Sequence, residues 1–218
     1  MAIAGSLLGL PSAHSQITID TFFVTTSLLQ ATPGNPVDED STVTIEGSPA
    51  GRRLSASAAG GFGLDTQVDG VSWIVDGGGT APGSANAQME YAGFSLNLGT
   101  NYFFEVALDR VAGSPVLGVI LQNTGQSITL TSGVELTSTT NGYSVFFDVR
   151  SLPGYDAAFL NGVDDITVLV GDSDEDFFAD ATLIQFSPVP EPSTVGLLAA
   201  GAGLLWLVGR RRVRGGRD

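Results

Sequence analysis

The side chains of this chain that could perform chemistry are almost all carboxylates. The 218 residues contain 23 Asp and Glu, nine Arg, no Lys, no Cys and a single histidine, His14, for a formal net charge of −14. This composition excludes thiol nucleophiles, Schiff-base lysines, disulfides and zinc or haem sites built on Cys and His. A chain this acidic is also expected to repel nucleic acid. Calcium binding and glycoside hydrolysis are the carboxylate chemistries that remain.

Carboxylates at alternate positions suggest calcium, because this ion prefers about six to eight oxygen ligands. Two segments have this spacing, Asp172-Ser173-Asp174-Glu175-Asp176 and Asp38-Glu39-Asp40. The first is not an EF-hand loop, because Phe177 stands where the loop needs Gly and Leu183 where it needs a bidentate Glu. Structural calcium is therefore the one candidate cofactor, with Asp172, Asp174, Asp176, Asp38 and Asp40 as its ligands. The alternative is that both segments are solvated acidic loops.

A pair of carboxylates about 5 to 9.5 Å apart across a cleft would be needed to hydrolyse a glycosidic bond. Asp164 and Asp165 are adjacent, so they would point to opposite faces of a strand and are poor partners. Glu90 and Glu105 lie on neighbouring predicted strands and form the better pair. No motif selects either pair, so a secreted carbohydrate-active hydrolase is the alternative function and not the leading one.

Aromatic rings are the third candidate group, because a flat ring stacks on a sugar while nearby polar groups hold its hydroxyls. Trp73 precedes Asp76 and three glycines and is the first candidate, followed by Tyr91 and Tyr155. However, Trp73 alternates with Val71 and Val75, and this pattern favours a buried face over an exposed platform.

The elements that must position these side chains are β-strands. In residues 102–109, for example, Tyr102, Phe104, Val106 and Leu108 share one face while the other carries Glu105 and Asp109, and no long stretch has helical periodicity. The predicted strands are 17–24, 42–46, 71–75, 89–98, 102–109, 116–122, 127–131, 133–138, 143–149, 166–170 and 178–186. Turn signals separate them, among them Asp76–Gly79 and Pro82–Gly83, and the small residues 55–63 favour a loop over a strand with close backbone approach. The pattern predicts an all-β domain over residues 16–186, an antiparallel β-sandwich that is jelly-roll-like.

Residues 1–15 are typical of a secretory signal peptide. An apolar run from Ile3 to Leu10 is followed by Ala13 and Ser15, small residues at the −3 and −1 positions of a cut after Ser15. A basic segment before the run is missing, which favours a true start upstream of Met1 over a weak signal peptide. The alternative is a first strand or short helix of the fold.

The C-terminal residues read as a tether and a membrane segment. Residues 187–194 form a proline-rich linker, residues 195–209 are predicted as a single transmembrane helix, and residues 210–218 form a basic cytoplasmic tail. Fifteen helical residues reach about 22 Å, short of a hydrocarbon core of about 30 Å, and snorkelling arginines would close the gap. Basic residues beside a membrane helix stay on the cytoplasmic side. The residues Arg210, Arg211, Arg212 and Arg214 are therefore expected to orient the acidic domain to the far side of the membrane. A buried core helix is the alternative.

The order Val189-Pro190-Glu191-Pro192-Ser193, then an apolar run, then arginines resembles the PEP-CTERM protein-sorting signal over residues 189–214. The resemblance implies a Gram-negative bacterium that makes extracellular polysaccharide. It also implies an exosortase-type membrane enzyme that recognises Pro190, Glu191 and Pro192, cleaves near them and releases the domain to the envelope, surface or matrix. The resemblance covers about an eighth of the chain.

Together these features predict an exported surface or matrix protein of the kind found in biofilms. Its β-sandwich is expected to be non-enzymatic and to associate with exopolysaccharide or other envelope components. Besides the hydrolase, a third hypothesis is a permanently anchored single-pass protein that is never processed.

Overall fold

A computed structural model of the chain describes residues 16–173 and 175–188, and these residues form an all-β domain. The strands are β1 (Ile17–Asp20), β2 (Leu29–Ala31), β3 (Val37–Ile45), β4 (Ser48–Val68), β5 (Trp73–Leu96), β6 (Phe103–Ala112), β7 (Val116–Asn123), β8 (Ile128–Glu135), β9 (Tyr143–Asp148), β10 (Val163–Ser173) and β11 (Phe177–Ser187). Short 3-10 helices occupy Thr124–Gln126, Val149–Ser151 and Ala157–Asn161. Every ladder between these strands is antiparallel.

The long hairpin of β4 and β5 organises the domain, because each of its strands has different partners along its length. Residues 84–96 of β5 pair with β10, whereas residues 73–77 pair with β11. The first half-sheet therefore has the order β3-β4-β5-β10-β7-β8, and the second half-sheet has the order β2-β4-β5-β11-β6-β9. Strand β1 pairs with the end of β11 and contacts β3, so the sheet is nearly closed.

A single core lies on the inner side of both half-sheets. Strand β6 shows the rule: Phe104, Val106 and Leu108 are buried, and the residues between them are more exposed. Phe104 packs edge-to-face on Phe186, with ring centroids 5.1 Å apart. Alternation of this kind places one side of each strand in the core and leaves the other side for solvent or ligand.

The prediction of an antiparallel all-β domain is confirmed, but its two layers are halves of one continuous sheet. The predicted strands 71–75 and 89–98 both fall largely in β5, whereas β8 contains most of 127–131 and the first half of 133–138. Within residues 16–173 and 175–188 no helix is long and apolar enough to cross a membrane. The predicted helix at 195–209 lies outside the described residues.

The small residues 55–63 form part of β4 and not a loop, so that prediction is wrong. The predicted turns at Asp76–Gly79 and Pro82–Gly83 likewise lie inside β5. The physical reason is close backbone approach between the two strands. A Cβ on Gly79 would lie 2.1 Å from the carbonyl oxygen of Gly61, and Gly60 has a φ of +66° with equally little room. Glycine here permits a tightly paired hairpin instead of ending it.

Candidate functional site

Tyr91 belongs to a buried polar cluster and presents no ring to solvent. Its hydroxyl donates to Asp20 Oδ2 at 3.0 Å, and Arg52 Nη1 donates to the same oxygen at 2.9 Å. Asp20 Oδ1 accepts from the backbone N–H of Phe22 at 2.6 Å, and Arg52 Nη2 donates to the carbonyl of Val24. Burial first, and then the charge of Asp20, raises the pKa of Tyr91 well above its usual range. The cluster ties β1 to the hairpin of β4 and β5. The prediction of Tyr91 as a sugar platform is therefore wrong, because Tyr91 is a core residue.

Trp73 is also a core residue, which corrects its assignment as a sugar platform and agrees with its alternation with two valines. The side chain is fully buried, and its Nε1 donates to Thr66 Oγ1 at 2.9 Å. Tyr155 is half-buried and packs against the core. It is therefore the only one of the three predicted rings that retains any exposed surface.

The two acidic segments do not meet. Asp38 on β3 forms an ion pair with Arg53 on β4, with a distance of 2.6 Å between their side-chain atoms, and Asp40 lies two residues further along β3. Asp172 lies on β10, three strand spacings or about 14 Å away across the sheet. Asp176 Oδ1 accepts from the backbone N–H of Gly79 at 2.9 Å. Asp174 lies outside the described residues, and among those described no three acidic side chains gather in a way that could hold a metal ion.

The carboxylate pair predicted for a hydrolase is separated in the structure. Glu90 lies on the part of β5 that pairs with β10, whereas Glu105 lies on β6 in the second half-sheet, where β11 stands between β5 and β6. Glu105 Oε2 instead accepts from Gln185 Nε2 at 2.6 Å. The prediction that the two glutamates lie on neighbouring strands is therefore wrong.

Asp165 is the carboxylate that the structure brings near Glu90. Burial raises the pKa of Asp165, and the negative charges of Glu90 and then Asp164 raise it further. The adjacent Asp164 is held apart, because its carboxylate accepts from the backbone N–H of Thr124 at 3.0 Å and from the hydroxyl of the same residue. Glu90 and Asp165 lie on adjacent strands of the first half-sheet.

The side of the first half-sheet that points away from the core is called the outer face. The cross-strand register places its residues in rows that run across the strands. One row is Asp40, Arg53, Glu90 and Thr167, the next is Asp38, Ser55, Gln88 and Leu169, and the third is Ser57, Asn86 and Gly171. A shallow pocket of about 230 Å³ lies between Arg53, Glu90 and the small residues Gly51 and Ala92.

Three amide side chains on the outer face have no partner within the domain. In the part of the chain that the structure describes, Asn86, Gln88 and Gln122 form no side-chain hydrogen bond. On the second half-sheet, Gln30 donates to Asp65 and Gln185 donates to Glu105, whereas Gln67 likewise has no partner among the described residues. Sequence analysis missed these amides, although Asn86, Gln88 and Glu90 alternate with the apolar Ala85, Ala87 and Met89. Their signal is the period of two.

Strand β11 is the last strand of the described residues. This strand ends at Ser187, paired with Phe103, and Pro188 has no N–H with which to continue the ladder. Residues 188–212 match the sequence model of the PEP-CTERM protein-sorting motif. The chain carries a PEP-CTERM protein-sorting motif. The motif indicates export across the membrane and an envelope or extracellular location, and it implies processing by an exosortase.

Most of the PEP-CTERM region lies outside the described residues. Its recognition residues Pro190, Glu191 and Pro192 and the basic residues Arg210, Arg211, Arg212 and Arg214 are among them, as is the predicted signal peptide at 1–15. The last described residue, Pro188, lies two positions before Pro190.

Comparison of the PEP-CTERM chain with solved structures finds distant likenesses only. A family 11 carbohydrate-binding module from Clostridium thermocellum, in complex with a β-1,3-1,4-mixed-linked tetrasaccharide, has 13% identity and a TM-score of 0.41, covering 81% of this chain and 98% of that one. The glycoside hydrolase domain of Endo-D from Streptococcus pneumoniae has 14% identity and a TM-score of 0.39, covering 61% and 21%. No curated protein sequence matches significantly. These scores are too low to transfer a ligand or an activity.

Proposed function

We propose that this chain is an exported surface or matrix protein that an exosortase-type enzyme processes near Pro190-Glu191-Pro192. Its β-domain then associates with extracellular polysaccharide and does not hydrolyse it. The PEP-CTERM motif at residues 188–212 supports the export step. The polysaccharide step is supported by the domain's own surface.

The observation that carries this proposal is the set of unpartnered amides on the outer face. A carboxamide both donates and accepts hydrogen bonds, as sugar hydroxyls do, so Asn86, Gln88 and Gln122 match a hydroxyl-rich ligand. Asn86 and Gln88 lie on β5 and Gln122 lies on β7, on one face and with β10 between the two strands. An open, polar sheet surface of this kind suits a long polymer better than a small molecule, which is usually enclosed in a pocket.

A hydrolase is the second candidate, and one observation favours it. Asp165, whose pKa is raised by burial and by Glu90, is placed as a proton donor would be in a carboxylate pair. Against this, both carboxylates stand on the same open sheet face, whereas a glycosidase holds its substrate between its acid and its base.

Binding and release of sugar from one sample would separate the two functions. We expect the purified full chain to sediment with insoluble polysaccharide or to be retarded in gels that contain soluble polysaccharide, with no new reducing ends after prolonged incubation. The variants Glu90→Gln and Asp165→Asn serve as controls. Reducing ends that appear with the native chain and vanish with both variants would show that the hydrolase assignment is the right one.

A further inference from the structure

We propose that the outer face binds uncharged polysaccharide, with Asn86 and Gln88 of β5 as the principal contacts and Gln122 of β7 as a further one. This inference rests on the proposed function and adds to it the surface and the class of polymer. It follows from the spacing of the amides, from the size of the side chains beside them and from the charge of the outer face.

The spacing of the amides suits a linear polymer. Asn86 and Gln88 lie two residues apart on one strand, so they project from the same face about 6.7 Å apart. Neither amide is engaged within the described part of the chain. A polymer that runs along β5 would therefore meet these two hydrogen-bonding groups in succession.

The side chains that flank the two amides on β4 are small. Asn86 stands between Ser57 of β4 and Gly171 of β10, and Gln88 stands between Ser55 and Leu169. Because the flanking side chains are small on the β4 side, a flat sugar ring can approach the amides without steric conflict. Leu169 and its neighbours Ile120 and Val116 on β7 are partly exposed, which provides apolar contact for the C–H faces of a sugar.

The charge of the outer face selects the class of polymer. Its carboxylates are Asp38, Asp40, Glu90, Asp165 and Glu135, and its one arginine, Arg53, is already paired with Asp38. Residues 16–188 as a whole hold 21 acidic residues and four arginines. Anionic polymers such as uronate chains would be repelled, and the described part of the outer face offers no unpaired cation to bind them. An uncharged polymer avoids this penalty.

The experiment compares an outer-face variant with a matched control. The double variant Asn86→Ala/Gln88→Ala removes both amides from exposed or half-exposed positions, where the substitutions leave the core intact. Gln67→Ala removes a half-exposed amide of β4 on the second half-sheet that also lacks a partner in the described residues. Each full-length chain is tested by affinity electrophoresis against hydroxyethyl cellulose, dextran and xylan as neutral probes, alginate as the anionic probe and chitosan as the cationic probe.

We expect the native chain and Gln67→Ala to bind a neutral probe equally, and the double variant to bind it about tenfold more weakly or worse. Binding should be nearly independent of salt, because no charge pairs with the polymer. Neutral binding that the double variant retains, or binding confined to alginate or chitosan, would overturn this inference and leave the proposed function standing. If the native chain binds none of the probes, both this inference and the proposed function are overturned.

Discussion

At the scale of single residues, the most constrained group is the carboxylate of Asp20. It accepts hydrogen bonds from a buried guanidinium, a buried tyrosine hydroxyl and a backbone N–H. A buried charge is tolerated only with such partners, because removing one partner leaves the other desolvated and unpaired. Asp20 thereby holds the N-terminal strand against the β4–β5 hairpin.

Replacement of Asp20 by Asn should lower the free energy of unfolding by about 3 kcal/mol or more, because Arg52 would remain buried without its counter-charge. Asp38→Asn is the matched control, since it breaks the exposed pair with Arg53 and should cost less than about 1 kcal/mol. Urea unfolding of the two variants measures both values. Equal costs would contradict the assignment of Asp20 as a structural anchor.

Asp165 should make stability depend on pH. Its pKa is raised in the folded state, so the folded protein holds this proton more tightly than the unfolded chain. The contribution of Asp165 to stability is therefore fully present below about pH 4 and is lost as the pH rises through the raised pKa. Asp165→Asn should raise the melting temperature at pH 7 and leave it unchanged at pH 3. A lower melting temperature at pH 7 would show that the carboxylate is stabilising.

At the scale of elements, the β4–β5 hairpin decides the architecture. Its two strands are 21 and 24 residues long, and they carry the sheet from one half to the other. Small residues where the strands approach most closely make this length compatible with tight pairing. The same residues in an isolated sequence look like loops and turns.

Gly79→Ala should destabilise the domain by about 2 kcal/mol or more, because the new Cβ would lie 2.1 Å from a backbone oxygen of β4. Gly51→Ala on the same hairpin is the control, since its Cβ would meet nothing nearer than 3.7 Å. Thermal unfolding followed by circular dichroism measures both. Similar melting temperatures for the two variants would mean that the strands are not closely paired at Gly79.

At the scale of the whole molecule, charge is the dominant property. The domain bears a large negative excess, and the chain as a whole has a formal charge of −14. Self-repulsion of this kind lowers the stability of a compact state and is reduced by salt.

Sodium chloride should therefore raise the melting temperature gradually, whereas millimolar calcium at constant ionic strength should add nothing. Of the acidic side chains that the structure describes, no three are grouped to hold a metal ion. Melting curves with sodium chloride and with calcium chloride, matched in ionic strength, test this. A calcium-specific increase that disappears in Asp172→Asn/Asp176→Asn would restore the calcium hypothesis.

Processing is the second prediction for the whole molecule. The exported protein should begin near Gln16 and end near the Pro190-Glu191-Pro192 motif, because residues 1–15 are expected to be a signal peptide and residues 188–212 match the sorting motif. Intact-mass spectrometry of extracellular material from an exosortase-containing host gives both ends. Glu191→Ala should reduce the released fraction. Extracellular chains that still contain Arg210–Arg214 would contradict processing at this motif.

Local patterns were sufficient for part of this protein. The PEP-CTERM motif depends on contiguous residues, and most strands follow from alternation along the chain, so both were predicted from the sequence. The chemistries that need Cys or Lys were excluded from the composition alone, because folding cannot supply a residue type that the sequence lacks.

Only the tertiary structure decided which side chains meet. Glu90 approaches Asp165 and not Glu105, because β5 changes partner from β11 to β10 along its length. Trp73 and Tyr91 are buried by strands distant in sequence, and residues 55–63 form a strand because β5 supplies matching glycines. The unpartnered amides of the outer face likewise become visible only after every cross-strand neighbour is known. Strand pairing is long-range and is set by the packing of one shared core, which a local pattern does not encode.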